Sequence, residues 1–160
     1  MAGIQLSTAG VTLNYAVETT AGQRPTSGYT KISEVKSVPE LNPEPDSLET
    51  TTLEETEWKT YIPGLKDPGG ALSFSANLTE ASMEEWEGVV EAYNTAAASD
   101  LRTWFCIIIP GLTKALYFAG QPSPMGMPSM EVSAVLETSL YITPVSAPEW
   151  QAKPGVTDEP

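Results

Sequence analysis

The stretch Gly70-Ala71-Leu72-Ser73-Phe74-Ser75-Ala76-Asn77-Leu78-Thr79-Glu80 changes period halfway. Leu72, Phe74, Ala76 and Leu78 fall on one side of an extended chain. Ala71, Ser73, Ser75 and Asn77 fall on the other. Alternation at two residues predicts a strand with one core face and one wet face. From about residue 80 the spacing becomes helical. Met83, Trp86, Val89, Val90, Tyr93 and Ala97 form one apolar stripe, predicting a helix over about 80–98. Thr79 or Ser82 can cap it, and Glu85, three residues after Ser82, suits a capping box. Glu80, Glu84, Glu85 and Glu87 crowd the start, where the helix dipole favours negative charge.

Strand signals continue on both sides. Leu101 to Ile109 carries an apolar run, Trp104 to Ile109, that predicts a strand covered on both faces and stopped by Pro110. Ala115–Ala119 predicts another, followed by an irregular stretch from Gln121 to Pro128. Residues 132–142 alternate with Val132, Leu136, Leu140 and Ile142 in phase. Upstream, Tyr29–Val38 reads as one amphipathic strand and Trp58–Ile62 as a short one turned by Pro63-Gly64. Residues 39–66, with prolines at 39, 43, 45 and 63, read as a long polar loop. Residues 1–28 read as an arm with one short strand possible at Leu13–Val17, and 144–160 as a non-regular tail. The organisation expected is an arm (1–28), a β domain (29–143) and a tail (144–160). Strands, one helix, then strands predict a mainly β, antiparallel assembly with a helix on one flank. The expected core is Leu72, Phe74, Leu78, Trp86, Val90, Trp104, Leu136 and Leu140.

Composition narrows the chemistry. The chain has 160 residues, 21 acidic and 8 basic, with a net charge of −13, no histidine and one cysteine. Imidazole-based nucleophile systems are excluded, zinc is disfavoured, and Cys106 has no partner for a disulfide. A charge of −13 opposes gripping nucleic-acid phosphates. The 14 Ser and 18 Thr suit strands with a solvated face. No apolar run reaches the ~20 residues of a membrane helix, and the N-terminus lacks the form of a signal peptide. The expectation is a protein made and kept in a cytoplasm.

Candidate sites read weakly. Glu54-Glu55 with Glu57, and Glu84-Glu85 with Glu87, are dense carboxylates. One group lies in a loop and the other at a helix start, not in a cleft that would raise a pKa. Asp46 and Asp67 are isolated and match no calcium loop. Gly64, Lys66, Gly69 and Gly70 lack the order of a phosphate loop, and Asp67-Pro68-Gly69-Gly70 reads as a turn. Cys106, among apolar neighbours, reads as a buried structural thiol. Trp86 and Trp104 fall in core patterns, whereas Trp58 and Trp150 flank irregular segments and read as interface candidates. No enzyme, metal or cofactor is expected.

Several segments, in order, resemble the major tail tube proteins of long-tailed bacteriophages, in the group from phages of Gram-positive hosts. They are Arg24-Pro25 with Gly28-Tyr29, Lys36 to Asp46, Trp58 to Asp67, Gly69 to Leu78, and Ile142-Thr143-Pro144. The similarity spans about residues 11–150 and is to the short form, without an appended immunoglobulin-like domain. The resemblance implies a two-sheet β-sandwich or partial barrel whose strands join a lumen barrel on assembly. It implies a homo-oligomer of hexameric rings stacked into a tube that conducts DNA without binding it specifically. Implied partners are a tape-measure protein, a tail-tip or initiator complex and a tail terminator; no membrane is involved. The implied location is the virion tail, assembled in the host cytoplasm. The long loop would reach an adjacent ring, so Leu41, Asn42, Pro43, Leu48, Leu53, Trp58 and Tyr61, together with Trp150, are the contact candidates. Glu137, Thr138 and Ser139 are the lumen candidates. A ring that forms once and stops, as in head–tail completion or tail termination, and a virion-displayed binding β-sandwich are the alternatives.

Overall fold

The computed structural model describes residues 9–41, 45–66, 70–154 and 156–157. In chain order the elements are β1 (Thr12–Val17), β2 (Tyr29–Ile32), β3 (Val35–Ser37), β4 (Pro45–Glu49), β5 (Tyr61–Lys66), β6 (Leu72–Asn77), α1 (Glu80–Ala97), β7 (Thr103–Ile108), β8 (Lys114–Pro122), β9 (Glu137–Pro144), β10 (Glu149–Ala152) and β11 (Val156–Thr157). The fold is mainly β with one helix. Nine strands form one sheet in the order β11-β2-β1-β7-β8-β9-β6-β3, with β10 also paired to β8; β4 and β5 form a separate two-stranded sheet. Pairing is antiparallel except between β11 and β2. β2 and β3 lie near opposite ends of this order, yet only Ser33 and Glu34 separate them. The sheet therefore curls into a half-barrel that brings its ends together. Glu34 turns the corner at φ 66°, and its carbonyl accepts from Asn77 N at 3.0 Å.

The alternation in β6 sorts its side chains as the sequence indicates: Leu72, Phe74 and Ala76 are buried. They join Leu13, Ile32, Phe105, Phe118, Leu140 and Ile142 on the inner face, and α1 adds Trp86 and Val89 to the same core. The capping box differs in its members. Thr79 Oγ1 accepts from Ser82 N at 3.1 Å, and Ser82 Oγ accepts from Thr79 N at 2.8 Å. Glu85 instead accepts from Ser33 N at 2.6 Å, tying the helix to the β2–β3 corner. The helix stops in a Schellman-type turn. Asp100 sits at φ 57°, and Leu101 N bonds to Ala96 O at 2.9 Å.

Strand β7 is covered on both faces, as its apolar run predicts. Phe105 and Ile107 face the inner core; Trp104 and Cys106 face a second, smaller core with Ala16, Tyr29, Ala115, Tyr117 and Ala119.

Several elements depart from expectation. The Tyr29–Val38 strand is broken into β2 and β3, which pair at different places in the sheet. The short strand read at Leu13–Val17 is present as β1, but it lies within the sheet between β2 and β7 and not in a separate arm. The tail contributes β10 and β11. Pro63-Gly64 does not turn the chain: β5 runs through them to Lys66, with a register shift between Pro45 and Ser47. The expected strand 132–142 begins only at Glu137, which pairs with Asn77 at the end of β6. Before it, one hydrogen bond remains, from Leu78 N to Leu136 O at 2.9 Å. With no neighbouring strand to cover them, Val132 and Leu136 are exposed.

Of the expected core, Leu72, Phe74, Trp86, Trp104 and Leu140 are buried, and Leu78 and Val90 are half-buried. Leu136, 43% exposed, is corrected to a surface residue.

Candidate assembly surfaces

Within the long 39–66 segment, Pro45–Lys66 folds back on itself as the β4–β5 hairpin, which pairs with no other strand among the described residues. Beyond β4, Thr50 N bonds to Thr60 O at 2.8 Å, and Thr60 N bonds to Thr51 Oγ1 at 2.8 Å. At the tip the Glu55 carboxylate accepts from Glu57 N at 2.9 Å and Trp58 N at 3.1 Å. Those donors favour the ionised form and lower the Glu55 pKa. A structured, polar-bonded hairpin thus presents unpacked apolar side chains. Leu53 is fully exposed, Trp58 is 75% exposed, and Leu48, Tyr61 and Ile62 are each about half exposed. Leu48 and Ile62 are directly paired across the hairpin, whereas Tyr61 points to its other face. Leu41, by contrast, packs half-buried against the inner core. Asn42 and Pro43 lie outside the described residues. Trp150 is half exposed on β10, which borders β8.

The outer face of β3, β6 and β9 is polar. Ser75 pairs across the strands with Ser139, and Ser73 with Tyr141. Ser37 Oγ lies 2.7 Å from Ser75 Oγ, and Lys36 is ion-paired with Glu137. The three lumen candidates separate here. Glu137 and Ser139 lie on this face, while Thr138 is 5% exposed and points inward. Successive strand residues alternate in direction, so three in a row cannot share a face. The segment from Met127 to Val135 borders the same face, leaving a groove of about 610 Å³ lined by Ser75, Glu137, Ser139 and Tyr141.

Two polar clusters whose long-range partners the sequence did not show tie the early loop to the sheet. Glu18 is 1% exposed. Its Oε1 accepts from Arg102 N at 2.8 Å and Gly22 N at 3.3 Å; its Oε2 accepts from Trp104 Nε1 at 2.8 Å and Arg102 Nε at 3.3 Å. Burial acts to raise its pKa, but the Trp104, Arg102 and Gly22 donors and the guanidinium charge outweigh it, so the pKa is lowered. In the second cluster, the Arg24 guanidinium lies 4.2 Å from the centre of the Tyr117 ring and pairs with Glu149 at 3.1 Å. Tyr117 Oη donates to Ala152 O, fastening β10. Burial pushes the Cys106 thiol up to about 12, away from reactivity. The sequence does not show these clusters, because the side-chain partners of Glu18 and Arg24 lie 84 to 125 residues away.

Among the described residues no group of three or more His, Cys, Asp or Glu could hold a metal ion. No helix among them is long and apolar enough to cross a membrane.

No protein-family model matches the sequence, and no curated protein matches it. Solved structures do match the fold over nearly its whole length. A chain in the cryo-EM structure of the anti-feeding prophage baseplate, six-fold symmetrised, aligns with TM-score 0.66 at 12% identity, covering 95% of this chain and 98% of that chain. A chain in the structure of the anti-feeding prophage tube-terminating cap aligns with TM-score 0.62 at 11% identity, covering 95% and 94%. These likenesses establish a shared curled-β fold.

Proposed function

We propose that this protein is a structural, non-catalytic subunit of a phage-tail assembly. It forms hexameric rings that stack into a tube through which DNA passes. The observation that carries this reading is the end-to-end fold match to a chain of a six-fold-symmetrised baseplate. The residue-level resemblance to tail tube proteins agrees with it. So does the exposed apolar hairpin β4–β5, which has the character of a contact surface awaiting a neighbour. Head-to-tail contacts that do not close generate open filaments. In this reading the hairpin reaches the next ring, and the Ser-rich face of β3, β6 and β9 lines the lumen. Partners would be further copies, a tape-measure protein, an initiator complex and a terminator, within the virion tail.

The test is negative-stain microscopy of concentrated protein, alone and with a tail initiator complex. Tubes are expected from the intact chain. Deletion of residues 42–56 should leave the domain folded by circular dichroism and abolish elongation. Strict monomers under all conditions would defeat the proposal, and normal tubes from the deletion variant would defeat the role given to the hairpin.

A second reading is a ring that forms once and stops, favoured by the likeness to a chain of the tube-terminating cap structure. Discrete rings that never elongate would select it.

A further inference from the structure

The helix α1 borders a groove that the tube reading does not use. Met83, Trp86 and Val90 line it from the helix, Pro124 and Met125 line it from the segment after β8, and its volume is about 310 Å³. Trp86 is held there by its indole N–H, which donates to Ser123 O at 2.9 Å. Methionine-lined apolar grooves accept side chains of varied shape.

The edge of this groove has one sign of charge. Glu87 and Glu91 line it, and Glu80 and Glu84 continue the same helical row. All four are exposed. The sequence contains no Lys or Arg between Lys66 and Arg102. The ion pairs Arg24–Glu149, Lys36–Glu137 and Arg102–Glu18 all lie elsewhere. Like charges four residues apart destabilise a helix, so this row carries a cost that an opposite charge would relieve.

The hairpin of a second copy does not supply that charge. The exposed apolar hairpin holds Lys59, but Glu54, Glu55 and Glu57 precede it. The whole chain is at −13. An occupant that is both apolar and basic complements this groove, and repulsion between two chains of this charge favours a different protein as its source.

We propose that the α1 groove docks an amphipathic, Lys- or Arg-bearing segment of a different protein. Its apolar side chains fill the space between Met83, Val90 and Met125, and its cations meet Glu87 and Glu91. None of the residues lining this groove belongs to the β4–β5 hairpin, and with the groove on the polar sheet face it shares only Gly126 among the described residues, so the peptide test below does not depend on tube formation.

The probe is a fluorescently labelled 18-residue Leu/Lys amphipathic peptide, titrated into the full chain by anisotropy. The control is a Ser/Lys peptide of equal charge. The expected result is saturable binding of the Leu/Lys peptide, at least tenfold tighter than the control, weakened at least tenfold by the double variant Glu87→Lys/Glu91→Lys. Both charged positions are exposed, so the variant should keep its circular dichroism spectrum. In nitrogen–proton correlation spectra the Trp86 indole signal, assigned with Trp86→Phe, should shift on binding. Absence of binding, equal binding of the two peptides, binding that the double variant does not weaken, or an unmoved Trp86 signal would each overturn the proposal.

Discussion

Removing the buried charge at Glu18 should destabilise the fold in a way that depends on pH. The Glu18→Gln change preserves shape and one acceptor oxygen. Each carboxylate oxygen, however, faces two donors: Oε1 faces Arg102 N and Gly22 N, and Oε2 faces Trp104 Nε1 and Arg102 Nε. Whichever way the amide is oriented, its NH2 confronts two of them. Hydrogen bonds to a charged group contribute about 1.5–3 kcal/mol, and a stranded buried donor costs about 1–3 kcal/mol. The expected loss is about 2–4 kcal/mol at pH 7, discounted because Arg102 is partly exposed and can turn to water. In urea, with a slope of about 2 kcal/mol/M, the midpoint should fall by about 1–2 M. The folded-state pKa of Glu18 lies below its ordinary value of 4.5. Its contribution is therefore fully present above the unfolded value and is lost as pH falls through the folded one. The gap between wild type and variant should be constant above about pH 5.5 and narrower at pH 3.5. A gap under about 0.5 kcal/mol at pH 7, or one of equal size at both pH values, would refute this account of Glu18.

Three further outcomes follow from packing and backbone. A Cβ at Gly120 would lie 2.6 Å from Ile142 Cγ2 and 3.3 Å from both Phe105 and Phe118. Gly120→Ala should therefore cost about 1–3 kcal/mol in urea unfolding. Asp100 occupies a left-handed position after α1, where its charge also opposes the helix dipole. Asp100→Gly should thus stabilise by about 1 kcal/mol, seen as a raised thermal midpoint. Leu72→Asp places a carboxylate against Phe74's buried neighbours on the inner face and should cost about 4 kcal/mol or more, read as loss of cooperative unfolding.

Local periodicity carried the readable part of this fold. The β6 alternation, the α1 stripe and the two-sided burial of β7 are each set by residues within a few positions of one another. What stayed hidden depends on distant partners. Thr12–Val17 has modest strand character alone and becomes central only through Ile108 on one side and Ile32 on the other. The tail segment Glu149–Ala152 is a strand because Lys114–Tyr117 offers an edge, with Arg24 and Tyr117 fastening it. The opposite error occurred at Val132–Leu136, where alternation suggested a strand, but β6 has already ended and nothing pairs. The interface candidates divided in the same way. Trp58 and Leu53 are exposed on the hairpin, while Leu41 is drawn toward the core. Glu18 belongs to no motif, and Arg24, quoted only within a resembling segment, gave no sign that it would reach Glu149 and Tyr117.

The placement of charge bears on what acidity can mean in a tube. Net charge first suggests a wall that repels phosphates. On the face proposed as lumen, however, Glu137 is already paired with Lys36, and Asn77, Ser75 and Ser139 lie beside it. That face is hydroxyl-rich and carries few charges: Glu34 meets Asn77 at its edge, and Glu131 borders its groove. A polar wall with few cations resists phosphate binding simply by offering no counterion to release, so it needs no dense negative charge. Much of the acidity lies elsewhere: 11 of the 21 acids fall in residues 40–57 and the start of α1. In those regions it adjoins the exposed hairpin and the methionine-lined groove, where charge selects partners and keeps exposed apolar surface soluble. If the protein is a tube subunit as proposed, the acidity of the hairpin and of α1 thus bears more on its choice of partners than on the passage of DNA.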